Sequence, residues 1–234
     1  MEILQAPGKF EVLGLMGGIN GESPLELIEV AGRTAYQSQE KITEGSAEKF
    51  VKMLRDRKHE SVLEHSCMMV RFSDVSRGLT HEQVRHRLTS PTQESTRYVD
   101  ESNLRVIAPP GIDSNKKIVE LIMSDGKREQ VSFEDWVVLN QQMYRGLRRA
   151  GLVPEDARQV LPIGVVAQIV ITANFREWRH IFELRCSPQA HWEIRMTMVE
   201  LLKQVQRLVP IVFDDFVVDK NIPSAKKYSA LNTF

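Results

Sequence analysis

The chain has 234 residues, and its 31 basic and 31 acidic side chains give a formal net charge of zero. Because a dedicated nucleic-acid-binding protein usually carries a basic surplus, this balance argues against a polyanion as the main ligand. Two cysteines, Cys67 and Cys186, are too few for a disulfide framework, and no signal peptide or long apolar run is present. We therefore expect a soluble cytoplasmic protein that binds neither nucleic acid nor membrane.

The first third of the chain predicts one strand and two helices. Phe10–Met16 suits a strand, and the glycine cluster after it lacks the Gly-Lys-Ser/Thr ending of a phosphate loop, so a turn is expected there. A serine cap, a first-turn proline and a glutamate three residues after the cap predict a helix from Ser23 to about Tyr36. A second amphipathic helix is expected near Ala47–Arg57, with its apolar side chains toward the core.

The middle of the chain contains an unusually polar stretch, H-E-Q-V-R-H-R-L-T-S-P-T-Q-E-S-T-R-Y, at His81–Tyr98. A strand at Ser66–Phe72 and a helix at Val75–Arg87 are expected to lead into it, and Pro91 then favours a polar loop at Thr92–Thr96. Guanidinium groups on a helix end and a returning loop match a phosphate, or the carbonyl and imide edge of a pyrimidine, by paired hydrogen bonds. The alternatives are a solvated basic helix end and a nucleic-acid-binding module.

The remaining segments alternate between extended and helical patterns, and one of them stays undecided. They are an extended segment at Leu104–Pro109, a helix or strand at Lys116–Met123, a turn at Asp125-Gly126, a helix from Ser132 to Gly151, a short helix from Pro154, a strand at Val165–Thr172, a helix capped by Asn174 and a long helix from Ser187-Pro188 to about Leu208. No repeat, linker or low-complexity tract interrupts them. One domain of mixed α and β structure is therefore expected over residues 1–234.

Two kinds of catalytic centre, a metal site and a cysteine nucleophile, can be judged from the sequence. The histidine pairs His59/His65 and His81/His86 are six and five residues apart, whereas a zincin helix places its two ligands four apart on one face, so no metal site is expected. Cys186 follows an arginine that could lower its thiol pKa, which would suit a cysteine-dependent pyrimidine methyltransferase. A small buried cysteine at a helix end is the favoured interpretation.

The pattern R-H-R, seven residues and then serine, at Arg85–Ser95, resembles the signature of flavin-dependent thymidylate synthases, and its flanks T-H-E-Q-V and S-T-R-Y are similar to the same family. Further blocks resemble that family in its order: K-H-E-S-V-L-E-H at 58–65, A-R-Q-V-L-P at 157–162, T-A-N-F-R-E-W-R-H-I-F-E-L-R at 172–185 and A-H-W-E-I-R at 190–195. One departure is Gln189, where the family often has histidine; His191 lies two places on.

The resemblance implies an activity, a fold and an assembly. The implied activity is reductive methylation of dUMP to dTMP, with 5,10-methylenetetrahydrofolate as carbon donor and NADPH as reductant, through FAD. The implied fold is α/β of the α+β type: a single domain with a mixed, largely antiparallel sheet flanked by helices. The implied assembly is a homotetramer with active sites at subunit interfaces.

The resemblance also implies site residues. Arg185 is expected to be catalytic, by stabilising negative charge on the N3/O4 edge of the uracil ring. The residues expected to bind dUMP are Glu82, Gln83, Val84, Arg85, Gln93, Glu94, Ser95, Thr96, Arg97, Arg158 and Arg185. The residues expected to bind FAD are His59, Ser61, Arg85, His86, Arg87, Leu88, Gln93, Asn174, Phe175, Arg176 and His180.

Helix geometry adds an inference about the block at 172–185. On a continuous helix Arg176 and His180 lie ~40° apart, whereas Arg185 lies ~180° from Arg176, so one ligand on one face cannot meet all three. Either Arg185 lies past the helix end, or the helix is shared between two sites. The second arrangement requires an oligomer.

Overall fold

The computed structural model describes residues 1–117 and 119–219, together with the backbone of residues 224–227. The strands are β1 (Glu2–Leu4), β2 (Lys9–Leu15), β3 (Cys67–Ser76), β4 (Thr89–Gln93), β5 (Arg105–Ile107), β6 (Val119–Ile122), β7 (Arg128–Val131), β8 (Val166–Asn174), β9 (Phe216–Asp219) and β10 (Ser224–Lys227). The helices are α1 (Pro24–Ala35), α2 (Ser46–Asp56), α3 (Arg77–Gln83), α4 (Phe133–Arg149), α5 (Pro154–Ala157), α6 (Phe175–Arg185), α7 (Trp192–Leu208) and α8 (Pro210–Phe213). Short 3₁₀ helices lie at Gln39–Lys41, Glu60–His65 and Arg158–Val160. Within the described residues, every helix is too short or too polar to cross a membrane.

The chain divides into two compact units, each made of separated segments. The first unit comprises Met1–Lys9, Ser73–Gln83 and Gln93–Ile169; the second comprises Phe10–Phe72, Val84–Thr92 and the described part of Val170–Phe234. The boundary between the units passes through β2, β3, β4 and β8. The single domain expected over residues 1–234 stays a prediction.

A four-stranded sheet has the strand order β2-β3-β8-β4. The Met16 N–H donates to the Cys67 carbonyl at 2.9 Å, while Lys9, at the other end of β2, pairs with Asp74 at 2.6 Å. Contacts at opposite ends in this order show that β2 and β3 run antiparallel. The predicted strand at Phe10–Met16 is confirmed.

The same reasoning applies to the central pair of that sheet. The Phe175 N–H donates to the Ser66 carbonyl at 3.0 Å, and the Arg77 N–H donates to the Val165 carbonyl at 2.9 Å, so β3 and β8 are also antiparallel. The small sheet of β1 and β5 is parallel instead. Mixed α and β structure with antiparallel pairing and helices is thus confirmed, whereas the homotetramer remains a prediction.

The first unit has its own apolar cluster, formed by Leu104, Val106, Val137 and Val165, none of which is more than 1 % exposed. Val137 comes from α4, which starts with the expected capping box at Ser132. The cluster therefore joins a helix to strand and loop residues that are distant in sequence.

The second unit has an aromatic core that fixes one face of α6. The rings of Phe175 and Phe182 each lie 5.7 Å from the ring of Phe213, at steep angles that suit edge-to-face packing. The Trp178 indole N–H donates to the Met68 carbonyl at 3.0 Å, which satisfies its polar atom in the core. These contacts fix which face of α6 is buried, so residues on the other positions of the helix are free to be polar.

Helix α3 is shorter than the helix predicted at Val75–Arg87. The Ser76 hydroxyl accepts from the Leu79 N–H at 3.0 Å and so caps the helix, which leaves the residues before it in β3. Beyond the helix, the Thr89 hydroxyl donates to the His86 carbonyl at 2.7 Å. The R-H-R tripeptide consequently lies in a turn and not in a helix.

The polar loop predicted at Thr92–Thr96 is partly wrong, because Thr92 and Gln93 belong to β4. Proline lacks the N–H that a central strand needs, but β4 is an edge strand of its sheet. Pro91 is therefore tolerated within the strand, and the loop begins only at Glu94.

Helix α7 begins at Trp192, five residues after the predicted start at Ser187. The Arg195 guanidinium donates to the Pro188 carbonyl at 2.7 Å and to the Ala190 carbonyl at 3.1 Å. These bonds hold the preceding segment as a turn, so the Ser-Pro pair does not open the helix.

The undecided segment at Lys116–Met123 contains β6 (Val119–Ile122), which is the first strand of a hairpin. Strands β6 and β7 pair antiparallel, with Val119 opposite Val131. Gly126 has a φ of 80°, which a glycine adopts without strain, and it supplies the turn expected from the sequence.

Candidate active site

A cavity of about 740 Å³ lies beside the polar face of α6, and all of its lining residues belong to the second unit. The lining comes from the 3₁₀ helix (Glu60 and Glu64), from the turn after α3 (Arg85, His86, Arg87 and Leu88), from the cap of α6 (Asn174) and from α6 itself (Arg176, Glu177, Arg179, His180, Glu183, Leu184 and Arg185). Five of the residues that line this cavity are arginines.

The sequence of α6 explains why its polar residues reach this cavity. The Asn174 side chain accepts from the Glu177 N–H at 2.8 Å and starts the helix as predicted. Because Trp178 and Phe182 occupy the buried face, Arg176 and His180 project from the opposite side and are exposed.

The inference from helix angles needs a correction. Arg185 is the last residue of α6 and lies within it, yet Arg176, His180 and Arg185 all line the same cavity. The turn after α3 forms part of the lining, and arginine side chains are long enough to reach around a helix. The angular separation therefore does not require two sites or an oligomer.

His86 is the most buried imidazole of the cavity and is held between two side chains of α6. Its Nε2 lies 2.9 Å from the Arg185 Nε, and its Nδ1 lies 3.5 Å from Oε1 of Glu177. Since an arginine Nε–H can only donate, Nε2 of His86 accepts, and the ring proton is on Nδ1. Burial, followed by the charges of Arg185 and His180, lowers the pKa of His86 to about 4.

Glu177 and His180 complete the surroundings of this imidazole. Burial raises the pKa of the Glu177 carboxyl, and the nearby His180 opposes that rise. The rings of His86 and His180 meet edge to face with their centroids 5.8 Å apart. A neutral imidazole thus links a buried carboxyl to a half-buried guanidinium.

The remaining residues predicted to bind FAD lie in different surroundings. His59 is exposed, with its Nδ1 at 3.2 Å from the Tyr36 hydroxyl, and Ser61 lies on the exposed side of the 3₁₀ helix. Phe175 is fully buried, its ring packs in the core and its backbone N–H donates to the Ser66 carbonyl, so it is not among the residues that line the cavity. Gln93 belongs to the first unit, where its amide donates to the Thr80 hydroxyl at 2.6 Å.

The predicted dUMP-binding residues are divided between the units. Glu82, Gln83, Gln93, Glu94, Ser95, Thr96, Arg97 and Arg158 belong to the first unit, whereas Val84, Arg85 and Arg185 belong to the second. Only Arg85 and Arg185 of this set line the cavity.

Within the first unit, several of these residues are close together. The Ser95 hydroxyl accepts from the Arg97 N–H at 3.3 Å, and the Arg158 guanidinium lies 3.5 Å from the Thr96 hydroxyl. Arg97 pairs with Glu155 at 2.9 Å, and this hydrogen-bonded carboxylate raises the pKa of the guanidinium. Thr96 and Arg158, which are distant in sequence, are thus neighbours, and their role in binding dUMP stays a prediction.

Gln83 is the exception among them, because it is 1 % exposed and neither polar atom of its amide has a hydrogen-bond partner within the described part of the chain. A buried amide normally has such partners. Glu82 is half-buried and Glu94 accepts through its carbonyl from Arg77 at 3.4 Å.

Three acidic residues of the cavity, Glu60, Glu177 and Glu183, were missed by reasoning from the sequence, as was Arg179. Glu177, His180 and Glu183 are spaced three apart, which puts them on neighbouring positions of one helical face. That spacing could have indicated, from the sequence alone, that the three side chains belong to one site. Glu64, which also lines the cavity, pairs with Arg176 at 2.5 Å.

The alternative with a cysteine nucleophile is not supported. Cys186 is 0 % exposed, and burial raises the pKa of its thiol far above the usual range, so it carries no reactive thiolate. Within residues 1–117 and 119–219, no three histidine, cysteine or acidic side chains are grouped to hold a metal ion.

Comparison with known proteins identifies the family. A family model described as thymidylate synthase complementing protein matches residues 19–211. A flavin-dependent thymidylate synthase from Mycobacterium avium is 34 % identical over 198 residues, which cover 82 % of this chain and 79 % of that protein. The chain belongs to the flavin-dependent thymidylate synthase family. A second member of this family, from Mycolicibacterium vanbaalenii, is 35 % identical over the same share of each chain.

Solved structures agree with this family at the level of the fold. A UMP/dUMP methylase from Streptomyces cacaoi, bound with 5-Br dUMP, has a TM-score of 0.68 at 20 % identity and covers 92 % of this chain and 96 % of its own. Thymidylate synthase X from Helicobacter pylori, with FAD and dUMP, has a TM-score of 0.65 at 19 % identity and covers 89 % and 98 %. The flavin-dependent thymidylate synthases are methyltransferases, so the family predicted from the sequence blocks and its enzyme class are both confirmed.

Proposed function

We propose that this protein converts dUMP to dTMP, with 5,10-methylenetetrahydrofolate as carbon donor, NADPH as reductant and FAD as bound cofactor. The observation that carries the proposal is the arginine-lined cavity beside α6, in a chain of the flavin-dependent thymidylate synthase family. A cytoplasmic location and the lack of metal, nucleic-acid and membrane binding remain predictions.

The residues of the cavity fit FAD in size and in charge. A volume of about 740 Å³ is within the ordinary range of cofactor pockets. Arg85 and Arg87 are exposed there, and guanidinium groups pair well with a diphosphate. We propose that they bind FAD together with His86, Leu88, Asn174, Arg176 and His180. The family resemblance also implies FAD contacts at His59, Ser61, Gln93 and Phe175.

Arg185 is the proposed catalytic residue. Its guanidinium would donate to the N3/O4 edge of the uracil ring and stabilise the negative charge that develops as C5 becomes nucleophilic. A bound flavin supplies the hydride chemistry, which no amino-acid side chain can perform. No protein nucleophile is needed, which agrees with the burial of Cys186.

The proposed dUMP-binding residues are those that the family resemblance implies. Ser95, Thr96, Arg97 and Arg158 would hold the phosphate or the ribose, because hydroxyl and guanidinium donors suit anionic oxygens. Glu82, Gln83, Val84, Arg85, Gln93 and Glu94 would complete it. We propose that Glu82 and Arg85 come from a neighbouring subunit of a homotetramer.

The test is the flavin spectrum of the purified protein together with dTMP formation, followed by mass spectrometry. We expect a yellow protein whose absorbance bleaches with NADPH and which needs the folate donor for turnover. Arg185→Ala should lower kcat by about 10²–10³-fold, as loss of a charge-stabilising donor does, and should keep its flavin. Arg128→Ala, on the exposed β6–β7 hairpin, is the matched control and should behave as wild type. A colourless protein without dTMP formation would overturn the proposal.

A further inference from the structure

In the cavity, the His86 imidazole lies between the side chains of Glu177 and Arg185, and these three residues are called the triplet below. The Arg185 Nε–H donates to His86 Nε2 at 2.9 Å, and His86 Nδ1 faces Glu177 Oε1 at 3.5 Å. The side chains of His86 and Glu177 are 3 % and 7 % exposed, so water does not replace these contacts. The resemblance that assigned Arg185 to the uracil ring gave no role to Glu177.

We propose that Glu177 and His86 are positioning residues, which orient the Arg185 guanidinium toward the pyrimidine through the acceptor nitrogen Nε2 of a neutral His86. The inference rests on the proposed function, in which Arg185 binds the uracil ring. It adds a residue, Glu177, and a defined protonation state for His86.

The physical need for such an arrangement follows from the properties of arginine. Its long side chain loses rotamer entropy when it is fixed, and a planar guanidinium must be correctly oriented to form paired hydrogen bonds. A hydrogen bond from the Nε–H constrains the plane of the whole guanidinium group. His86 supplies the acceptor only while it is neutral with its proton on Nδ1, since an imidazolium would have no acceptor and would repel Arg185.

Glu177 makes that state of the imidazole favourable. Its carboxylate oxygen faces the Nδ1–H and so selects the tautomer whose Nε2 can accept. The backbone N–H of the same residue is already used by the Asn174 cap. The start of α6 has no return bond from the Asn174 N–H to the Glu177 carboxylate, unlike the capping boxes of α1 and α4, so this carboxyl is available to His86.

Two substitutions of Glu177 distinguish its role as a hydrogen-bond acceptor from the role of its negative charge. Glu177→Gln keeps an oxygen that can accept from His86 Nδ1–H, whereas Glu177→Leu has a similar volume and no acceptor. In the FAD-loaded protein labelled with ¹⁵N-histidine and ¹⁵N-arginine, NMR reports the His86 tautomer and the Arg185 Nε–H. We expect the Nδ1–H tautomer and a slowly exchanging Nε–H in wild type and Glu177→Gln, and faster exchange in Glu177→Leu. An Nε2–H tautomer or an imidazolium in the wild type at pH 7 would overturn the inference.

The functional arm measures the dissociation constant of dUMP and the flavin content of each variant. Glu177→Leu should weaken dUMP binding by about tenfold, the effect of losing one well-oriented bond, with unchanged flavin content. Glu177→Gln should stay within about twofold of wild type. Equal dUMP affinity in wild type and Glu177→Leu would contradict the positioning role. If the leucine variant does not fold, Glu177→Ala replaces it in both arms.

These readouts distinguish the inference from the proposed function. Failure of the wild type to bind or methylate dUMP would defeat the proposed function and, with it, the role toward the pyrimidine. An active wild type whose Arg185 Nε–H exchanges equally fast in all three proteins would defeat the triplet alone.

Discussion

His86 shows at the scale of one residue how burial sets a response to pH. Its folded-state pKa of about 4 lies below its ordinary value of 6.5, so between these pH values the unfolded chain binds a proton that the folded chain does not. The contribution of His86 to stability therefore rises with pH across this window and is lost as the pH falls from 6.5 toward 4, by roughly 3 kcal/mol in total. Urea unfolding at a series of pH values should show that the unfolding free energy of wild type minus that of His86→Gln rises with pH across this window, because the other titrating groups are common to both proteins. Equal slopes in the two proteins would contradict it.

Glu101 predicts the opposite pH dependence in the first unit. Burial raises the pKa of this carboxyl from 4.5 to about 7, and its Oε1 has no hydrogen-bond partner among the described residues. Here the folded chain binds the extra proton, so stability falls as pH rises from 4.5 to 7. Glu101→Gln should be more stable than wild type at pH 8, by at most about 3 kcal/mol, and similar to it at pH 4.5.

Asp100 provides the control for that measurement, because its carboxylate is stabilised where its neighbour's is not. It accepts from the Ser102 N–H at 2.8 Å and from Arg148 at 3.2 Å, and these partners lower its pKa. Asp100→Asn should consequently reduce stability at pH 8. A gain in both variants, measured by denaturant midpoints, would point to general charge reduction and not to burial of Glu101.

At the scale of secondary-structure elements, the sequence predicts the boundaries that depend on contacts between residues close together in the chain. The caps at Ser23, Ser132 and Asn174 are visible in the sequence because each acts on an N–H three residues away, and all three were predicted. The start of α7 was not, since it depends on Arg195 bonding to the preceding loop. The end of α3 likewise depends on the turn closed by Thr89.

The candidate site shows the same division between local and distant causes. Arg176 and His180 could be assigned to a ligand from the family blocks, and both line the cavity. The contact between His86 and Arg185 joins residues 99 positions apart, and no local pattern reports it. The proposed positioning role of Glu177 follows only from that contact.

The capping box of α4 gives a prediction for a single element. The Ser132 hydroxyl accepts from the Asp135 N–H at 3.0 Å, while the Asp135 carboxylate accepts from the Ser132 N–H at 2.8 Å. Ser132→Ala should cost about 1 kcal/mol and lower Tm by roughly 2–4 °C. Ser132→Asp keeps a capping oxygen and should recover most of the loss in thermal unfolding followed by circular dichroism. Equal melting of the alanine variant and the wild type would show that the cap contributes nothing.

At the scale of the whole molecule, the two units interleave along the chain, and the residues proposed to bind the nucleotide fall in both. The sequence could not predict this division, because the segment Val165–Thr172 is predicted as one continuous strand, whereas the unit boundary passes through it after Ile169. Expression of either unit alone would therefore require several chain breaks.

The homotetramer with shared sites can be tested by mixing inactive variants. Light scattering should give a mass about four times the 26.8 kDa of the chain. If Glu82 and Arg97 of one site come from different subunits, Glu82→Ala and Arg97→Ala should each be inactive. Co-expressed in equal amounts, they should recover about a quarter of wild-type activity, because random mixing leaves that share of sites with neither substitution. Glu82→Ala mixed with Arg85→Ala, which would share one contributing subunit, should recover none. No recovery in the first mixture, despite a tetrameric mass, would mean that each subunit builds its own nucleotide site.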